Sequence, residues 1–446
     1  MLGRLQIRHL YPLIALALLP LAAAGPIGDN SFLWHVRAGS AQWDLGRVLS
    51  ADAFSYTMAG AAWRTQSWLA ELGYAGLEGA TGGVGWAAAM VTIVCLTALG
   101  LIGLSVYETT KSTFSVAIWL FIAVWLFAPF ANPRPVILSY LLLAALVLII
   151  RLDDRMLWAV VPLMWIWAAL HGSWLIGLGL LVLEAVRRRS WKVASLAGLS
   201  VIAISLTAHG LGVWLILRDF MANRDALEFL VEWSRPDLFD IVQGPFLLIV
   251  AAVVVAFVRR RIRPNDLWIV LPFLVAGFTT QRTVVLAAIV LLPYAALAFD
   301  VKMPATARRR GGLAWTVAVV VITIGFVAVV RPGDTFDEER FPSDQLMAVV
   351  ETDRFFHDDA VGGYLIYRDW PQNQVYIDDR AELYGAGFFQ GLRDAKAGEY
   401  EELFAEYDMT EAIVKPAWEL AQQLEGDGWL VVGEDDFFLV MRAPAA

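Results

Sequence analysis

The sequence predicts a mainly α-helical protein, a bundle that crosses a membrane about eleven times and carries a small C-terminal α/β domain. Three observations carry this reading. Apolar residues make up 59% of the 446, against roughly 45 to 50% in soluble domains. Long uncharged runs recur between residues 11 and 330, the mark of transmembrane helices. Arginine clusters punctuate those runs, whereas acidic residues gather beyond them: residues 331–446 hold 26 Asp and Glu against 9 Lys and Arg, and residues 1–330 hold 17 against 25.

The arginines order the spans. Arg4 and Arg8 precede the first apolar run, and Arg187-Arg188-Arg189, Arg259-Arg260-Arg261 with Arg263, and Arg308-Arg309-Arg310 follow later ones. If all lie in the cytoplasm, as the positive-inside rule requires, an even number of spans separates consecutive clusters. That parity resolves two awkward runs. Residues 157–186 are too long for one span and must turn at His171-Gly172-Ser173, and residues 266–299 must turn near Thr279-Thr280-Gln281-Arg282. The expected spans are 10–24, 84–106, 114–130, 136–150, 156–170, 174–186, 192–208, 243–258, 266–279, 283–299 and 312–330. A transmembrane domain then covers 1–330, with a first external loop at 25–83, and a soluble extracytoplasmic domain covers 331–446. The first apolar run has a second reading as a cleaved secretory signal ending at Leu21-Ala22-Ala23-Ala24-Gly25. The expected location is the bacterial inner membrane, with a cytoplasmic N-terminus. The lone Cys95 excludes an intramolecular disulfide and thiolate metal sites, so no metal site is expected, although use of a divalent ion stays open. The acidic tail argues against nucleic acid or anionic lipid headgroups as its partners.

The same topology collects polar residues on the external side. Asp29, His35, Arg37, Asp52 and Glu71 lie in the first loop, Arg134 in Asn132-Pro133-Arg134-Pro135, His171 and Arg282 at the two tight turns, and Glu232 in the loop 209–242. A shared polar cavity is the economical account of unrelated turns carrying such residues together. Each has a plainer role: Asp29 as a helix N-cap, His35 and Arg37 as interfacial residues beside Trp34, His171 as a turn residue, and Arg282 as the ion-pair partner of Glu232. Residues 31–46 and 66–79 place Trp and Leu on one side and charge on the other, and are expected to be amphipathic helices in the membrane interface. In the tail, 344–355 and 417–424 read as helices, and 364–367, 374–377, 412–414, 429–432 and 437–441 as strands. Asp378, Asp379 and Glu382 read as a solvated strand end, with cation or acceptor-sugar binding as the alternative.

A span, two helices and a span, with an acid at the first exit, resembles the GT-C superfamily of integral-membrane glycosyltransferases. More closely, the chain resembles a family of uncharacterised bacterial membrane proteins. The resemblance rests on Asp29 to His35, Asp52-Ala53-Phe54-Ser55-Tyr56-Thr57, Trp167 to Gly172, Glu232-Trp233-Ser234-Arg235-Pro236-Asp237, Gly362-Gly363-Tyr364-Leu365 and Asp378-Asp379-Arg380-Ala381-Glu382-Leu383-Tyr384-Gly385. Ser31 stands where that family often has a second acid, and Ala53 where it has proline, which weakens a paired-carboxylate site.

The GT-C resemblance implies transfer of a sugar from a polyprenyl-phosphate donor to a cell-envelope glycan, lipid or protein, in contact with membrane lipids. Such a reaction needs a base for the acceptor proton and a positive site for the departing phosphate. Asp29 is the expected base. Arg282, Arg134 or Arg37 would hold the phosphate, and His35, Asp52 and His171 complete the expected substrate site. A membrane scaffold whose acidic tail recruits a partner, or a transporter with broken helices at a polar cavity, are the competing functions.

Overall fold

The computed structural model describes residues 12–13, 25–299 and 335–444. The expected span at 312–330, the arginines at 308–310 and, but for Pro12 and Leu13, the span at 10–24 lie outside them. The described helices are α1 (Asn30–Leu45), α2 (Trp68–Thr81), α3 (Ala87–Thr110), α4 (Thr113–Phe127), α5 (Val136–Arg151), α6 (Val160–Leu170), α7 (Trp174–Arg188), α8 (Trp191–Ile204), α9 (Val213–Ala222), α10 (Pro245–Val258), α11 (Leu267–Ala276), α12 (Gln281–Ala295), α13 (Asp344–Met347), α14 (Asp359–Asp369), α15 (Ala381–Lys396), α16 (Glu401–Glu406) and α17 (Glu419–Gly426). Chain contacts divide the molecule into two compact units.

The first unit, Met1–Gly25, Gly85–Val213 and Val231–Gly333, is a helical bundle. Helices occupy nine of the expected spans. Among the described residues, three stretches are long and apolar enough to cross a membrane, Ala87–Thr110, Thr113–Phe130 and Gln281–Ala298. Others are shorter, such as the 14 residues of α8 and α10, which at 1.5 Å per residue reach about 21 Å of a roughly 30 Å hydrocarbon core. α12 is the axis of the bundle. All residues from Val284 to Ala295 are buried, as befits a helix apolar on every side, and α3, α5, α10 and α11 pack against it. The turn between α6 and α7 brings those helices together at Gly177, where a Cβ would sit 2.4 Å from the ring of Trp167.

The second unit, Pro26–Val84, Trp214–Leu230 and Asp334–Ala446, joins the first loop to the tail. Ile27 N–H donates to Thr335 O (2.8 Å), Val375 N–H to Phe54 O (2.9 Å), and Thr57 Oγ1 to Tyr376 O (2.6 Å). The strands are β1 (Phe355–Phe356), β2 (Glu411–Val414), β3 (Leu430–Glu434) and β4 (Leu439–Arg442). They form one sheet in the order β1-β2-β4-β3, with β1 and β2 parallel and the other pairs antiparallel.

Several expected features differ: the helix expected at 344–355 covers only Asp344–Met347, the strand expected at 374–377 is reduced to a single bridge at Val375, and two further differences shape the unit. α1 is buried along most of its length, from Asn30 to Val36 and at Ala38, Gly39, Ala41 and Gln42, so it is a core helix of this unit. Its Gly39 has no room for a side chain, because a Cβ would fall 1.9 Å from Glu71 O on α2. Residues 364–367, strand-like by their Tyr-Leu-Ile-Tyr run, lie inside α14. Asp358 caps that helix through Ala360 N, and the turn before Tyr364 presents Gly362 and Gly363 to close backbone neighbours at Ile377 O and Asn30 O.

Candidate functional site

In the helical unit, three residues singled out by sequence meet around Glu232. The loop Asn132-Pro133-Arg134-Pro135 delivers Arg134 just before α5. His171 caps the C-terminus of α6 in an extended conformation. Arg282 is the second residue of α12, whose N-terminus is fixed by Thr280 accepting from Thr283 N. Gln281 ties this start to the Val231–Trp233 turn, its N–H donating to Ser234 O (3.0 Å) and its Nε2 to Ser234 Oγ (2.8 Å). Within that frame Arg282 Nη1 donates to Glu232 Oε1 at 2.8 Å, and Arg134 Nη1 to Glu232 Oε2 at 3.4 Å.

Arg282 also points Nη2 at His171 Nε2, 3.0 Å away. A guanidinium cannot accept, so Nε2 is the acceptor in that contact. On the other side of the ring, Nδ1 accepts from Ser173 N–H at 3.2 Å and lies 3.0 Å from Ser173 Oγ. The Arg282 guanidinium lies 5.4 Å from the centre of the Trp233 ring. Burial pushes the Glu232 carboxyl upward, but Arg282 and Arg134 outweigh it and hold the group below its ordinary value, so it is ionised at neutral pH. The side chains of Arg282, Glu232 and Arg134 remain 21, 30 and 31% exposed, within reach of a ligand.

The other expected site residues sit in the second unit, where each serves a structural contact. Asp29 caps α1, Oδ1 accepting from Phe32 N at 2.8 Å, and is buried. His35 Nδ1 pairs with Glu71 Oε1 at 2.8 Å. Glu71 is fully buried and also accepts from Gln42 Nε2 (2.6 Å) and Thr65 Oγ1. Arg37 binds Glu78 (3.1 Å) and Tyr367 O (2.7 Å), and its guanidinium lies 4.3 Å from the Tyr367 ring centre.

Asp52 accepts from Ser55 Oγ (2.7 Å) and forms an ion pair with Arg380 Nη2 (2.7 Å). Arg380 in turn makes a fork to Asp378, Nε to Oδ1 at 2.7 Å and Nη2 to Oδ2 at 2.6 Å, and stands 4.5 Å from the Trp63 ring centre. Burial opposes its charge, and the carboxylates of Asp378 and Asp52 reverse that and hold the guanidinium protonated. Asp379 accepts from Trp34 Nε1 (2.8 Å) and from Ser31 Oγ. The Asp-Asp-Arg run is therefore a buried clasp between the first loop and the tail rather than a solvated strand end. Sequence reading missed Arg380, although the run itself was conspicuous. Among the described residues, no three His, Cys, Asp or Glu side chains group as metal ligands.

No family model matches the chain, and no curated protein matches it. Among solved structures it is similar to the oligosaccharyltransferase of Archaeoglobus fulgidus in the apo form, a GT-C family member, at a TM-score of 0.55 and 12% identity, over 91% of this chain and 69% of that one. The chain is a mainly helical protein that shares its fold with that oligosaccharyltransferase and has, among the described residues, three helical stretches long and apolar enough to cross a membrane.

Proposed function

We propose that the protein is a membrane glycosyltransferase of the GT-C type, moving a sugar from a polyprenyl-phosphate donor to an extracytoplasmic cell-envelope acceptor. The observation that carries the reading is the fold likeness to an oligosaccharyltransferase across 91% of the chain. The gathering of Arg134, His171 and Arg282 around Glu232 supports it, because a guanidinium offers the forked geometry a phosphate requires. In the reaction the acceptor oxygen attacks the anomeric carbon, the bond to the phosphate oxygen breaks with its electrons, and a base takes the acceptor proton. Asp29 is assigned the base and Arg282, with Arg134, the departing phosphate. His35, Arg37 and Asp52 are placed as supports of the first loop, given their internal partners.

Asp29→Asn tests the assignment. Asn caps a helix about as well as Asp, so expression, thermal stability and donor binding should stay near wild type. Transfer from a radiolabelled polyprenyl-phosphate sugar should fall by about a hundredfold or more, the range for losing a general base. Arg282→Lys should weaken donor binding in a protein that still purifies as a single species. Normal transfer by Asp29→Asn returns that residue to capping alone. A second reading, a non-catalytic scaffold, is favoured by the internal pairing of Asp29, His35, Arg37 and Asp52, and predicts no transfer with any donor.

A further inference from the structure

One end of the helical bundle carries a cavity separate from the Glu232 cluster. It has a volume of about 750 Å³ and lies where α7 ends, α8 begins and the Pro264–Asp266 turn leads into α11. Arg187, Arg188, Arg263, Ser190, Asn265 and the carboxylates of Asp154 and Asp266 contribute to its lining. The three chain segments that build this end, 151–155, 184–192 and 259–266, hold ten basic and four acidic side chains.

The acids are already engaged. Arg187 makes a fork to the fully buried Glu184 (2.6 Å twice) and reaches Asp266 at 2.9 Å, and Arg188 reaches Asp154 at 3.0 Å. These pairs fix the arginines in place on the cavity wall. Arg263, by contrast, is exposed and makes no ion pair among the described residues.

Three tryptophans set the level of this cavity relative to a bilayer. Trp158, Trp191 and Trp268 come from three different elements at this end of the bundle, and they are 60, 88 and 55% exposed. Exposed indoles at the end of apolar helices belong at the headgroup layer. A cavity at that depth meets lipid before it meets a soluble ion, and a basic pocket between helix ends suits an anionic headgroup.

We infer that this cavity binds the headgroup of an anionic glycerophospholipid. Arg263 and the free N–H groups of the fixed arginines take the phosphate. Ser190, Asn265 and the exposed Asp154 carboxylate suit a headgroup that also offers hydroxyls, which favours phosphatidylglycerol over a bare phosphate.

Native mass spectrometry of the full chain in detergent, with a parallel melting curve, tests this with three probes: palmitoyl-oleoyl phosphatidylglycerol, phosphatidylcholine with the same tails, and soluble glycerol phosphate. Phosphatidylglycerol should be retained and should raise the melting temperature, and the other two should do neither. Arg263→Ala should lower phosphatidylglycerol occupancy about fivefold, as expected for one arginine near a lipid surface. It should leave the lipid-free melting temperature unchanged, since it breaks no ion pair. Arg260→Ala, at a neighbouring arginine outside the lining, should change occupancy little. Equal loss from both variants means diffuse attraction and overturns the site, unchanged occupancy in Arg263→Ala overturns it as well, and equal stabilisation by glycerol phosphate overturns the lipid in favour of a soluble anion.

Discussion

A buried guanidinium persists only where carboxylates surround it. Arg380 is 1% exposed and stands between Asp378 and Asp52. Arg380→Met should leave two buried carboxylates facing one another and destabilise the fold by roughly 3 to 5 kcal/mol, measured as a lower denaturant midpoint in detergent. His357 presents the opposite case, a buried neutral side chain. Its Nδ1–H donates to Asp358 O and its Nε2 accepts from Tyr376 N, both at 3.0 Å, and burial pulls its pKa from 6.5 down to about 4. The unfolded chain then binds a proton that the folded chain does not. Stability is complete above pH 6.5 and is lost as the pH falls toward 4, by on the order of 3 kcal/mol. His357→Gln should flatten that part of the denaturation-midpoint profile, whereas an unchanged slope between pH 6.5 and 4.5 would assign it to the carboxylates. Neither role was legible in the sequence. Arg380 is an ordinary polar residue until Asp52 and Trp63, far off in the sequence, close on it, and His357 until Tyr376 folds back over it.

Elements were legible where a local rule decides them. The bundle helices follow from uncharged runs, and α1 from a capping Asp followed by a helical period. α14 was not, because Tyr364 to Tyr367 has strand-forming side chains and its helical state is fixed by what Gly362 and Gly363 approach. The same close approach governs α1. Gly39→Ala should destabilise the second unit by about 1 to 3 kcal/mol, since its methyl group meets backbone on α2. Gly73→Ala, on the exposed face of α2 with nothing within 4 Å, should stabilise by about 0.5 to 1 kcal/mol. Thermal melts of the two variants check the contrast, and similar behaviour would discard the packing argument.

At the scale of the whole chain, arginine spacing foretold the turns at His171 and near Thr280, and it foretells sidedness. In a Cys95→Ser background, Ser234→Cys should react with a membrane-impermeant thiol reagent in intact cells, and Asn265→Cys should react only after permeabilisation. The reverse pattern inverts the topology and removes Asp29 and Arg282 from the outer side. The convergence of Arg134, His171 and Arg282 was foreseen from that parity, but the merging of the first loop with the tail was not, since nothing local in residues 26–84 names a partner beyond residue 334.

That merging imposes a timetable on synthesis. Val84 and Asp334 are about 250 residues apart, and most of the chain between them belongs to the helical unit. At about 5 to 20 residues per second, the first segment waits about 10 to 50 s for the strands and helices that cover it. Through that interval Phe32, Leu33 and Val36, wholly enclosed in the finished protein, have no cover from the tail. A chain arrested before residue 334 should therefore be cleaved by protease within residues 26–84 and held by chaperones that ignore the full-length protein. The residues made after position 334 are the ones that finish folding the first loop.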